Sequence, residues 1–509
     1  MPTFRRIILP FIILLSCSIT TSAQEQKLEY ENSISVTQLF QRIQQIPGDT
    51  VFISNLNIVA DPATDSRYLT DVRGEENWDS ISAHYDSIII DKTVFINNVH
   101  FAQRTVLPKI HFKRMLHLER ISIYGDLFFR GCFFEYMHYG HIMDAYYFGY
   151  DRCEFRGGLA WENMNPVSCS VKNCAVQGNF SMYNVDNELM LTVRNSLFQT
   201  EDTYIYSEKS GKVTFHKCRF EASSPGADFY IGNNSIFSAI EFIRDTFNMD
   251  VFFNDLSVKE LFQANHCQFN RKVMLKGVNI PEGNTSLPWP QLAGNKLTQQ
   301  YSRDSFFNGK MSYAAKFDDA YLDLLKNYSQ LLRAYKNNGD SESYNACYTE
   351  MKDMVTSKAA FTFQHNPNTS TFFTLYLNRF LKTFCDYGTN PVKALIFSMY
   401  VILVFGLLYF VFPSDGIALW HPPGWRFWRK TERQAWMAEI RNQLKMSKLR
   451  RGMVQFVNAV ALSMNAFVTL GYGDMPARGV ARYLAVLEGL MGWFLLSIFS
   501  ASLISQILQ

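Results

Sequence analysis

Cys153-Glu154-Phe155, one step from Cys132-Phe133-Phe134 on one side and Cys174-Ala175-Val176 on the other, sets the reading of the larger part of the chain. Aligned on its third residue, the pattern recurs at Phe134, Phe155, Val176, Phe198, Phe220, Phe247 and Phe269, in steps of 21, 21, 22, 22, 27 and 22 residues. Two positions before each stand Cys132, Cys153, Cys174, Ser196, Cys218, Asp245 and Cys267, and Ile96-Asn97-Asn98-Val99-His100-Phe101 reads as an earlier copy. Residues two apart on a strand share a face. Each copy therefore turns a small side chain and a large ring to one side, with Glu154, Arg219 or Gln268 pointing to the other. A period near 22 suits one coil of a right-handed parallel β-helix, in which no coil buries its face alone and the stack supplies the core.

Five cysteines at one repeat position read as a buried ladder of small apolar thiols, not as the paired framework of a small exported domain. Stacked coils lie about 4.8 Å apart, within the range of disulfide Cα spacings, which leaves an occasional bridge open. Asp151, Asp186, Asp228, Asp245 and Asp250 scatter over the repeats without a catalytic spacing. His138 and His141, three apart among Tyr136, Tyr139, Tyr146 and Tyr147, form a candidate metal pair that reads more simply as surface histidines. The chain has no glycine-rich phosphate loop, nucleophile elbow or Cys-x-x-Cys pair, so neither an enzyme nor a bound cofactor is expected. A net charge of +3 over 509 residues gives no basic excess for nucleic acid. The 43 Phe and 26 Tyr instead suit sugar faces, which makes a glycan the alternative ligand of the repeat domain.

Around this domain, taken as 25–290, the chain changes character. Residues 1–24 place Arg5-Arg6 before an apolar stretch at 7–16 and end on Ser22-Ala23-Gln24, the layout of a secretory signal. Leu15-Ser16-Cys17 offers a second reading, a lipid attachment site at Cys17. The Pro- and Gly-rich 281–290 ends the stack, and a helical connector is expected over 310–384. Tyr321, Leu324, Leu325, Tyr328, Leu331, Leu332 and Tyr335 form one helical face over 318–336. Asn337-Asn338-Gly339-Asp340 then turns the chain into a second helix at 341–357. The hairpin is expected to cap the open end of the stack in preference to clasping a second copy. Residues 372–384, aromatic with Arg379 and Lys382, read as an interfacial helix.

The remainder, 390–509, is apolar in three places. Residues 394–412 are nineteen uncharged residues, close to the ~20 that span hydrocarbon. Residues 425–451 carry nine Lys or Arg against Glu432 and Glu439, with Trp420, Trp425 and Trp428 clustered at one end, as along anionic headgroups. Residues 454–468 are apolar around Asn458 and Asn465 and lead into Thr469-Leu470-Gly471-Tyr472-Gly473-Asp474; a second span follows at 483–508. Replacing the water shell of a bare cation takes rings of backbone oxygen from several chains. Aiming successive carbonyls at one axis requires alternating handedness, which Gly471 and Gly473 adopt without a Cβ penalty.

From residue 394 onward this quarter of the chain resembles the two-helix, pore-loop potassium channels, whose filter usually reads Thr-Val-Gly-Tyr-Gly-Asp. Leu470 for Val is a mild departure, on a side chain directed behind the filter. The resemblance implies that the carbonyls of Thr469, Leu470, Gly471 and Tyr472, with the Thr469 hydroxyl, hold K⁺, and that Asp474 concentrates cations at the mouth. It implies a pore helix at 454–468 and filter support from Asn465, bonded to Asp474. Glu488, a lone acid inside a span, reads either as filter support through a bond behind the filter or as a hydrated residue at the interface. It also implies a gating hinge at Gly492, where close helix packing is the other role open to a glycine. The tryptophan pair common one turn before the Asn465 position is replaced here by Ala461-Leu462. One filter per chain cannot surround an ion, so a homotetramer in a lipid bilayer is implied.

The signal places the β-helix domain outside the cytoplasm, and the basic 426–451 belongs inside by the positive-inside rule. Together they invert the pore relative to ordinary two-helix channels, against the family's usual arrangement. The competing function is a surface glycan-binding or adhesion protein whose C-terminal helices serve only as an anchor. An anchor has no use for a glycine-alternating filter.

Overall fold

The computed structural model of the chain describes residues 32–69, 85–162, 166–183, 189–207, 211–292, 316–412, 448–469 and 480–507. Up to Ser286 the backbone winds into a β-solenoid of about ten coils whose strand pairings are all parallel. The repeat columns fall in register, Phe134↔Phe155↔Val176↔Phe198↔Phe220↔Phe247↔Phe269. Their rings stack face to face, 4.7 Å between Phe134 and Phe155 and 4.8 Å between Phe220 and Phe247, at 2° and 5°. The column extends backward through Phe112 and Ile90, so the earlier copy is Ile110-His111-Phe112. Phe101 belongs to a different column, between Ile58 and Ile123, and that part of the sequence alignment is corrected. The 27-residue step is absorbed by the turn at Ser224–Ala227 and by a register shift in the strand Asp228–Ile243, between Phe237 and Ala239, against Gly211 and Lys212 of the preceding coil.

The residue before each ladder position explains why the coils turn there. Lys109, Gly131, Arg152, Asn173, Asn195, Lys217, Arg244 and His266 all have φ between 49° and 61°, a left-handed corner. A corner swings the next N–H out of the parallel ladder, where it needs another acceptor. The small side chain one coil further on supplies it: Cys153 N–H donates to Cys174 Sγ, Cys174 N–H to Ser196 Oγ and Cys218 N–H to Asp245 Oδ1, at 3.4, 3.2 and 2.6 Å. Cys, Ser and Asp thus alternate at one position because each can accept. The eight cysteines among the described residues are buried and unbridged. Burial pushes the Cys218 and Cys267 thiols up to about 12, and the Asp245 carboxyl up to about 7.

Two expectations about polar residues change. His138 is buried, not on the surface: it lies on the strand His138–Asp151, with Nδ1 3.0 Å from the Leu116 carbonyl and Nε2 2.6 Å from the Tyr150 hydroxyl. Burial lowers its pKa to about 4, so it sits in the core as a neutral imidazole. The acids are less scattered than their spacing indicates, since Asp202, Asp228 and Asp250 share one column. Burial and its two neighbours push Asp228 up to about 6. No group of three or more His, Cys, Asp or Glu among the described residues is arranged to hold a metal ion.

Both ends of the solenoid are capped by helices. Helix α1 (Val36–Gln45) opens with a Ser35–Gln38 capping box and lays Val36, Leu39, Phe40 and Ile43 into the core at one end. At the other end α2 (Lys316–Asn337) buries Tyr321, Leu324, Tyr328, Leu331 and Tyr335, reverses at Gly339 (φ +68°) and continues as α3 (Ser341–His365). Asn327 donates to the Leu275 carbonyl, Tyr335 to the Leu287 carbonyl and Trp289 N–H to Ser343 Oγ. The hairpin is a cap on the stack. Its second helix runs eight residues past the expected end at 357 before α4 (Thr369–Cys385) returns along it.

Candidate ion-conduction module

Three further helices complete the described chain: α5 (Pro391–Val411), α6 (Lys448–Val468) and α7 (Val480–Ile507). Proline at the first position and the Asn390 side chain, which accepts from Lys393 N–H, fix where α5 starts. At ~1.5 Å per residue α5 and α7 reach about 31 and 42 Å, enough to cross about 30 Å of hydrocarbon. Both are long and apolar enough to span, and most of each is left uncovered by the rest of the chain. Leu395, Ile396, Met399, Tyr400 and Leu403 on α5, and Tyr483, Leu487, Leu490 and Trp493 on α7, are exposed. Such a surface is stable in lipid or against other copies, not in water.

Helix α6 is wedged between the two spans. Its earlier part packs Ala459 and Leu462 against Phe405 and Tyr409 of α5 and Ala481 and Ala485 of α7. Its last turn carries Phe467 to Ile402 and Leu495, in the middle of both spans. The helix therefore enters from the end where α5 finishes and α7 begins, and stops about halfway. Two glycines permit this closeness. A Cβ on Gly406 would stand 3.0 Å from a Val460 methyl, and one on Gly492 would stand 2.1 Å from the Phe467 carbonyl oxygen. Gly492 lies inside an unbroken α7, and the packing role is the one visible there.

Behind the α6 terminus lies a buried polar cluster. Glu488 of α7 is wholly covered and receives the Tyr409 hydroxyl of α5 at 2.7 Å on Oε2. Its Oε1 contacts Ser463 Oγ of α6, which lies 2.7 Å from the Ile402 carbonyl. One carboxyl thus joins all three helices. Tyr409 and Ser463 escape sequence reading because an outer-helix Tyr and a pore-helix Ser have no motif spacing to Glu488. The lone acid in an apolar span was the available signal.

At the end of α6, Thr469 N–H and Oγ1 both donate to the Asn465 carbonyl, at 3.0 and 2.6 Å. The succeeding carbonyls of the last turn have no partner within the helix and carry its negative end toward the point where 470–479 begins. Of the expected filter residues only Thr469 is described. Leu470, Gly471, Tyr472, Gly473 and Asp474 lie outside the described residues, as do the Asp474 partner expected for Asn465 and the basic stretch up to 447.

The solenoid side of the module is fastened at a left-handed turn, Asp386, Tyr387 and Gly388, with φ of 47°, 60° and 95°. Asp353 of α3 takes the Tyr387 hydroxyl at 3.0 Å and Lys382 Nζ at 2.7 Å. Lys393 Nζ pairs with Asp386 at 2.7 Å. From the far end of α7, Ser502 Oγ donates to the Gly388 carbonyl at 2.7 Å.

Two apolar spans with a third helix that ends halfway between them fit a membrane-embedded ion channel. In agreement, residues 441–509 match the family model described as Ion channel. No curated protein and no solved structure matches the chain.

Proposed function

We propose that the chain is one subunit of a K⁺-selective, homotetrameric channel whose filter is Thr469-Leu470-Gly471-Tyr472-Gly473-Asp474, with the β-solenoid as a sensory or ligand-binding domain. The observation that carries this reading is the place where α6 stops. Its C-terminal end is held in the middle of both spans, and the next residues in sequence are the glycine-alternating run. Carbonyls of that run, from four copies, supply the oxygen rings a dehydrated K⁺ needs. Asn465 and Glu488 support the filter from behind, and Gly492 both packs and hinges α7. A glycan ligand gains less support, because rings on the outer face stack on one another. Phe52 and Phe95 lie 4.9 Å apart and Tyr204 and Tyr230 4.8 Å apart, nearly parallel, so these rings cover one another's faces.

Purified protein in liposomes tests the proposal directly. K⁺ flux is expected to exceed Na⁺ flux, and Gly473→Ala to abolish it while the tetramer still forms. Undiminished K⁺ flux in that variant, or equal K⁺ and Na⁺ flux in the native chain, overturns it.

A further inference from the structure

The contacts around Glu488 do not balance if it is a carboxylate. Ser463 Oγ touches two oxygens, Glu488 Oε1 and the Ile402 carbonyl, yet a serine hydroxyl has one hydrogen. Given to the carbonyl, that hydrogen leaves Oγ and an anionic Oε1 facing each other with nothing between. Given to Oε1, it leaves Oγ against the Ile402 oxygen at 2.7 Å, again with nothing between. Tyr409 cannot help, since its own hydrogen is directed to Oε2. No Lys or Arg pairs with Glu488 among the described residues, and Tyr409, Ser463 and Glu488 are all fully buried. A bare negative charge in that position would be unpaired in a dry interior.

We infer that Glu488 is a neutral carboxylic acid that donates to Ser463, which in turn donates to the Ile402 carbonyl, and that with Tyr409 donating to its other oxygen it is the positioning residue for the pore helix. Every contact then has one hydrogen. The chain Glu488–Ser463–Ile402 ties α7 through α6 to α5, and Tyr409 closes the link between α5 and α7 directly. Because α6 ends five residues after Ser463, at Val468, this tie sets where the filter begins. That last step rests on the channel reading. The protonation of Glu488 does not.

Substitution separates the two charge states. Glutamine is neutral, and its amide can donate to Ser463 while its carbonyl accepts from Tyr409. It replaces an acid faithfully but a carboxylate poorly. In full-length protein reconstituted in lipid vesicles, Glu488→Gln is expected to keep K⁺ flux within about twofold, whereas Glu488→Leu loses about tenfold or more, as for one or two buried hydrogen bonds. The infrared spectrum supplies a readout independent of conduction. The native protein should show a protonated-carboxyl C=O band that is missing from Glu488→Gln and shifted in Tyr409→Phe. Glutamine as damaging as leucine, or no acid band lost on its introduction, overturns the inference. If native vesicles conduct no K⁺ at all, the channel reading fails while the infrared comparison still decides the charge state.

Discussion

At the scale of single residues, the ladder cysteines show why a side chain's hydrogen-bonding capacity can outrank its hydrophobicity. Read as small apolar thiols, they would be interchangeable with alanine. In the fold each also receives or gives a hydrogen bond at a coil corner. Cys174 Sγ accepts from Cys153 N–H at 3.4 Å and approaches the Lys172 carbonyl at 3.1 Å, the same two jobs Ser196 performs one coil on with Cys174 N–H and the Arg194 carbonyl. Cys174→Ser should therefore be tolerated. Cys174→Ala strands a buried N–H and should cost about 1–3 kcal/mol, seen as a lower unfolding midpoint in chemical denaturation. Equal losses in the two variants would show that only packing matters at this position. Burial raises the Cys153 thiol pKa well above its ordinary value, so thiol reagents should label the folded ladder slowly, if at all.

At the scale of elements, the pore helix is placed by what is missing from its neighbours. Gly492 presents bare backbone to the Phe467 carbonyl, and a methyl there would need the two helices to separate, since 2.1 Å is far inside contact distance. On the tetrameric assembly proposed above, Gly492→Ala is expected to abolish flux and lower tetramer stability together, measured by flux and by the temperature at which the tetramer dissociates in detergent. A substitution that altered opening kinetics alone, with the tetramer as stable as before, would count for the hinge role instead. Much of this arrangement was legible in sequence. The 22-residue period gives the solenoid because strand faces repeat strictly, and α5 and α7 declare themselves by length and apolarity. What escaped was non-periodic. His138 looked like a loop residue because aromatic neighbours are equally compatible with a buried strand. The true earlier repeat at Phe112 was hidden because Ile110 replaces the cysteine. The partners of Glu488 come from helices distant in sequence, joined only by packing.

At the scale of the whole molecule, one hydrogen bond decides which ends go together. Ser502 near the end of α7 reaches Gly388 just before α5, so the solenoid, its helical cap and the end of α7 share one side of the module. The same turn is gripped by Asp353 and Thr356 of α3 through Tyr387, giving the solenoid cap a short mechanical path to the end of α7. The other ends of α5 and α7, and the entry of α6, lie opposite; in sequence, α6 is led into by the 425–451 stretch with its nine Lys or Arg against two Glu. Positive charge concentrated beside a span is retained in the cytoplasm. By that rule, and by the signal-like residues 1–24, the solenoid is expected outside and the proposed filter is expected to enter from the cytoplasmic side. A C-terminal reporter reads this orientation without ambiguity. Alkaline phosphatase joined after Gln509 should be active and a green fluorescent protein at the same place dark, because only the first matures outside the cytoplasm. A bright fluorescent fusion with inactive phosphatase would turn the channel the conventional way round, and would require the solenoid to fold, with its six buried thiols, inside the cell.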